Sequence, residues 1–390
     1  MKGEITMKKV KRAIALSGGG PVVGVEIGAI QALIENKIDF DVWTCDCIGS
    51  WVACVYNSMD NTLAQEEKKK RLEDFFSFLF VKDDIYELFP VATAVFVVDY
   101  FDFIKKIFET NISVFTNLNK TKDIFNPFWM KDFMTYLNPA NWPKTEAELF
   151  ILMGDALSIN PLVRLAFNSF WKMKKSGIGI SHVDKMPQFW KDYLDFERLN
   201  QLQKENKYVY INTYNLTDNE IELFSNNSKY QPLCIEALQA GSSVLFYVEN
   251  PEINGKKYCE GANKDTLNFK DLLVNHPDLE EIWIVRITDY QYVNPPKTLI
   301  EAASLQIMLP FSTIAEDDIK LFKYHLQNEE KLKEIGLTKA QAEKIKIIEI
   351  KVQKNHFTDK ISYEWNKSNY QTCKKAGYQA AMETIKQMGK

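Results

Sequence analysis

At 390 residues and 46% hydrophobic content, the chain is long enough to bury one large core or two, and too apolar for extensive disorder. A formal net charge of −4, with both signs mixed along the chain, excludes the basic field that nucleic-acid binding needs. Six cysteines, at 45, 47, 54, 234, 259 and 373, show neither a disulfide framework nor a CxxC zinc pairing, which fits a reduced, cytoplasmic setting. Met1 to Arg12 is basic, but the apolar run after it, Ala13 to Leu16, is too short for a secretory signal. No window holds the roughly 18 uninterrupted apolar residues of a membrane-spanning helix, so any membrane contact is expected to be peripheral.

Taken in order, Ala13 to Leu16 reads as a short strand that feeds Ser17-Gly18-Gly19-Gly20, and Ile27, Ile30, Leu33 and Ile34 then recur at helical spacing. Three glycines at a strand-to-helix junction leave backbone N–H groups uncovered and permit positive φ. Such a loop closes around an anion or a developing oxyanion, or else it is a plain tight turn. The geometry then repeats, with Phe40 to Thr44 as a strand, Cys45 to Ser50 as a turn and Trp51 to Asn57 as the start of a helix. A nucleophile elbow needs a small nucleophilic side chain with glycine two residues later. Cys47 has Gly49 in that place, whereas Ser50 has Val52.

Asn57 to Arg71 is polar and charged, and Phe75, Phe76, Phe78, Leu79 and Phe80 open an aromatic-rich region that runs to about Tyr193. The segments 85–89, 91–98, 100–108, 125–136, 149–157 and 162–173 read mostly as helices, separated by Asn-Pro and Asn-Trp-Pro breaks. Residues 58–204 are therefore expected to form a helical insertion, either packed as a core or acting as a lid over an apolar pocket. Val91 to Val98 is the most apolar window, but Asp99, Asp102, Lys105 and Lys106 follow at once, so it fits a bilayer surface and not a span.

Strands are predicted again at Tyr208 to Thr213, Glu220 to Phe224, Val244 to Val248, Ile282 to Ile287 and Ile345 to Val352. Helices are predicted at Cys234 to Ala240, Ile300 to Met308, Ala315 to Asn328 and Ser368 to Met388. Tyr258-Cys259 brings Glu260 to a strand end. The four histidines, His182, His276, His325 and His356, all lie outside these motif stretches. A dinucleotide fingerprint fails because Val23 stands where G-x-G-x-x-G needs its third glycine.

Residues 10 to 57 and 205 to 290 resemble, in order, the patatin-like phospholipase family, whose strand and glycine-rich loop lead to G-x-S-x-G and later to D-G-A/G. Phe40-Asp41-Val42 is similar to the approach strand, Cys47 falls on the serine, Gly49 on the second glycine, and Cys45 on the first. Glu260-Gly261-Ala262 looks like D-G-A/G, Ala240 to Phe246 like the small-residue turn before it, and Tyr208 to Thr213 like a core strand. The basic residue usually found after the glycine loop is absent, since Pro21, Val22 and Val23 precede Gly24. That removes a phosphate contact.

The resemblance implies a three-layer α/β/α sandwich built from residues 1–57 and 205–390, carrying the 58–204 insertion. It also implies a lipid acyl hydrolase without metal or organic cofactor, acting on a lipid or a similarly apolar ester. Cys47, or Ser50 in its place, would be the nucleophile, Glu260 the proton acceptor, and Gly18, Gly19 and Gly20 the oxyanion hole. The alternative is a catalytically inactive patatin-like protein that binds a lipid or a protein partner. A carboxylate beside Cys47 raises its pKa while a helix N-terminus lowers it, and sequence alone leaves the sum open.

Overall fold

Strand β1 (Arg12–Leu16) owes its central place to four residues without any exposed surface, Ala13 to Leu16. A strand buried on both faces suits a parallel sheet covered by helices, and β1 has β2 (Val42–Cys45) on one side and β7 (Glu281–Val285) on the other, both parallel to it. β3 (Tyr208–Asn215) continues the parallel set beyond β2, and β8 (Lys346–Ile350) continues it beyond β7. Among the described residues the sheet has 8 strands, completed by β4 (Glu220–Ser225), β5 (Glu252–Ile253) and β6 (Lys256–Glu260), all antiparallel to their partners. The computed structural model describes residues 10–88, 105, 188–245, 247–269, 271–286, 294–297, 299–357 and 361–389.

Strand alternation splits the core into two layers. Ile14 and Leu16 join Trp43 and Trp283 on one face, under α1 (Gly24–Glu35), α2 (Cys47–Asn57), α3 (Gln65–Phe78) and the C-terminal helix Lys367–Gln387. Ala13 and Ala15 join Val42, Ile282 and Ile284 on the other face, against the helix Leu299–Gln327 and the short helices after it. The result is the three-layer α/β/α sandwich that the family resemblance implies. Each large apolar side chain buried in these layers contributes roughly 1.5–3 kcal/mol.

Glycine sets how closely α1 approaches the C-terminal helix. A Cβ at Gly28 would lie 1.9 Å from the Lys374 carbonyl oxygen, and one at Gly377 would lie 2.0 Å from that of Val25. Backbone therefore meets backbone across this helix pair, and no side chain fits between.

The structure corrects three elements. The elbow helix begins at Cys47, not Trp51, because the Asp46 carboxylate accepts the Cys47 amide at 2.6 Å and caps the helix four residues earlier. Val244 to Val248 is a turn, with the amides of Tyr247 and Val248 both donating to the Val244 carbonyl, despite an apolar composition that suits a strand. The two helices expected within 300–328 form one, Leu299–Gln327, that contains Pro310. Pro310 and Gln306, whose carbonyl loses its helical N–H partner to the proline, are both exposed.

The chain divides into two units, residues 1–97 with 183–390, and residues 98–182; all that follows concerns the first. The helices read at 91–98, 125–136, 149–157 and 162–173, and that at 100–108 apart from Lys105, lie outside the described residues. Among the described residues no helix is long and apolar enough to cross a membrane.

Gly28→Ala is expected to destabilise the protein by at least about 2 kcal/mol, since backbone must move to admit the methyl group. Gly255→Ala, where nothing lies within 4 Å and only the positive φ is strained, is expected to cost about 1 kcal/mol. Urea unfolding of the two variants checks the order.

Candidate active site

Register places the site. Leu16 pairs with Cys45, so the residues that leave β1 and β2 emerge side by side at the carboxyl ends of two central parallel strands. On the next strand, β4 occupies one edge of β3 from Tyr210 to Asn215. The other edge is shared by β2, as far as Ile211, and by β6, from Thr213 on. Ile211 pairs with Cys45 and Thr213 with Glu260, which brings Glu260 level with position 47.

Cys47 turns the chain from β2 into α2 at φ 47°, a left-handed conformation that side chains other than glycine adopt at some cost. Asp46 holds that turn: its Oδ1 accepts the Cys47 amide, and its Oδ2 accepts Nδ2 of buried Asn212 at 3.0 Å. Gly49 lets α2 settle onto β1, because a Cβ there would stand 2.8 Å from the Leu16 Cβ. These are the strain and the close packing of a nucleophile elbow.

Gly18, Gly19 and Gly20 all have positive φ, at 73°, 119° and 53°. A Cβ on Gly18 would lie 2.4 Å from the Cys47 Cβ, so the loop backs directly onto the elbow. Of its amides, that of Gly19 points at the Cys47 sulfur, as does that of Ile48 in the first turn of α2. The Gly18 amide is committed elsewhere, donating to Glu26 Oε1 at 3.0 Å.

Glu260 has no exposed surface, and its amide donates to the Ser243 carbonyl at 3.2 Å. The small-residue turn after the helix Ile235–Gly241 thus fixes the backbone of Glu260. Burial pushes its carboxyl up to about 7, and the neighbouring Cys47 thiol pulls it part of the way back. Neither carboxyl oxygen completes a well-formed hydrogen bond among the described residues. The Cys47 thiol is itself held well above its usual range by burial, then by Glu260 and Asp46, against the Gly19 and Ile48 amides. The sum left open by the sequence therefore favours the protonated thiol.

Ser50 lies one turn further along α2. It has no exposed surface, its Oγ finds no partner among the described residues, and a Cβ on Gly241 would lie 3.7 Å from that oxygen. Cys47, by contrast, retains 9% exposure. His276 is engaged with the Tyr210 hydroxyl at 2.9 Å and His356 with Glu383 at 2.9 Å; His182 lies outside the described residues. No group of three or more His, Cys, Asp or Glu among the described residues is placed to hold a metal ion.

Residues 14–273 match the patatin family, the patatin-like phospholipases. The chain belongs to the patatin-like phospholipase family. The match spans the glycine loop, the elbow and Glu260-Gly261-Ala262, and the family is one of lipid acyl hydrolases. Among solved structures, VipD from Legionella pneumophila is similar over 97% of this chain and 67% of its own, with 13% identity and a TM-score of 0.40. No match was found among curated protein sequences.

Within this patatin-like site, three residues escaped the sequence reading: Glu26, Asp46 and Asn212. Asp46 carried a usable signal, since aspartate just before a helix is a preferred cap. Asn212 carried none, because only the register of β3 brings it to Asp46. Its amide also explains Gly261, where a Cβ would lie 2.5 Å from Asn212 Nδ2.

Because Glu260 keeps its proton to about pH 7 when folded and only to its ordinary 4.5 when unfolded, its burial costs stability as pH rises through that window. Glu260→Gln is expected to be more stable than wild type by roughly 2–3 kcal/mol at pH 8 and nearly equal to it at pH 4.5. Denaturant titrations at the two pH values check the sign.

Proposed function

We propose that this patatin-like protein hydrolyses a carboxylic ester of an apolar acyl lipid, with Cys47 as nucleophile and Glu260 as proton acceptor. The observation that carries the reading is the strained Cys47 facing a buried carboxyl that has no other hydrogen-bonding partner among the described residues. In that arrangement the ionised Glu260 takes the thiol proton as sulfur attacks the ester carbonyl carbon. The amides of Gly19 and Ile48, which already face the sulfur, receive the negative charge that forms on the carbonyl oxygen. Glu260 returns the proton to the leaving alcohol as the carbon–oxygen bond breaks and a thioester remains. Water then attacks the thioester, gives a proton to Glu260, and releases the acid and the free thiol.

Histidine has no part in this scheme, because the carboxylate is itself the base. Ser50 is not assigned a role, since it sits inside the helix without a carboxyl partner. With no basic residue among Pro21, Val22 and Val23, the loop lacks a phosphate contact, and an uncharged ester head suits it better than a phosphodiester.

Turnover of p-nitrophenyl esters of increasing chain length, under reducing conditions, tests the proposal. Cys47→Ala and Glu260→Gln are each expected to lower kcat/KM by at least about 100-fold, and Ser50→Ala by less than about 3-fold. Wild-type kcat/KM should rise with pH through about 7 as Glu260 loses its proton. Full activity in Cys47→Ala would refute the assignment. A folded wild type that turns over no ester and accumulates no thioester would favour the lipid- or protein-binding reading.

A further inference from the structure

Glu26 lies in the first turn of α1 between Val25 and Ile27, fully buried in a helix whose neighbouring positions are apolar. A carboxyl in such a place is costly unless it does something an apolar residue cannot. Its two oxygens touch both sides of the site. Oε1 accepts the Gly18 amide at 3.0 Å, and Oε2 lies 3.2 Å from where a Cβ on Gly49 would stand. Gly18 precedes Gly19 and Gly49 follows Ile48, so Glu26 meets the chain neighbour of each residue whose amide faces the Cys47 sulfur.

We propose that Glu26 is a positioning residue of the oxyanion hole, binding the Gly18 amide so that the next amide, that of Gly19, is turned onto the reacting centre. The inference rests on the reading of Cys47 as nucleophile. Three consecutive residues with positive φ form a loop with many alternative conformations. A buried Gly18 N–H without an acceptor would draw the loop toward any conformation that satisfies it. Glu26 removes that choice. Burial also holds the Glu26 carboxyl well above the usual carboxylate range, offset only in part by the Gly18 amide, so glutamine matches it in shape and charge.

The test compares two reactions of the same thiol in the full chain. Acylation of Cys47 by p-nitrophenyl butyrate passes through an oxyanion, whereas alkylation by iodoacetamide does not; intact mass follows both. Glu26→Leu is expected to slow acylation by about 100-fold or more while leaving alkylation within about 3-fold. Glu26→Gln, which keeps the acceptor oxygen, is expected to acylate within about 5-fold of wild type. Glu26→Met takes the place of the leucine variant if that variant does not fold.

Three results would overturn the inference: Glu26→Leu acylating as fast as wild type, loss of acylation and alkylation together, or Glu26→Gln failing as badly as Glu26→Leu. A wild type that is alkylated at Cys47 but never acylated would overturn the hydrolase reading, and this inference with it.

Discussion

The alignment of Leu16 with Cys45 across two parallel strands is the constraint on which the site depends. It makes the glycine loop and the elbow neighbours before any side chain contributes. A slip of one residue would reverse the faces of Ile14 and Leu16 and separate Gly18 from Cys47. Cores on both faces of β1 hold that register in place. The need for glycine at 18 and 49 follows from it, because strands and helices this close leave no volume for a methyl group.

The second constraint is electrical. Glu26, Asp46 and Glu260 are all without exposed surface, and burial is the leading cause that holds each carboxyl above its ordinary range. These carboxyls give Cys47 no stabilising cation, and with burial Glu260 and Asp46 hold its thiol well above the usual range. As the nucleophile we propose, Cys47 would behave more like a hydroxyl than like the preformed thiolate of an electropositive cysteine site, because its proton must leave during the attack. A carboxyl poised near neutrality fits that task, at a cost in stability that a buried residue serving only as packing would not impose.

Much of the architecture could be read from the chain. The strand, glycine turn and helix at 12–35 announced themselves by periodicity and composition, and the parallel strands by β-branched runs such as Ile282 to Val285. Cys47 and Glu260 were singled out by the glycines beside them and by the family resemblance those glycines carry, since glycine marks where backbones crowd. What stayed hidden was long-range. The acceptor for the Gly18 amide is a glutamate that looks like the solvated face of a helix, and Asn212 is an ordinary strand residue until β3 is placed. The run of Val244 to Val248 misled because composition favours a strand, while the connection must instead fold back to meet the Glu260 amide.

The contact of α1 with the C-terminal helix has a bearing on the order in which the site is made. Gly24 and Gly28 lie under Tyr370 and Lys374, residues that a ribosome adds long after α1. The helix that carries Glu26, and that follows directly on the glycine loop, therefore has one flank bare until synthesis passes the 370s. A nascent chain, or one cut short before Tyr370, lacks the surface against which α1 and the glycine loop before it are packed.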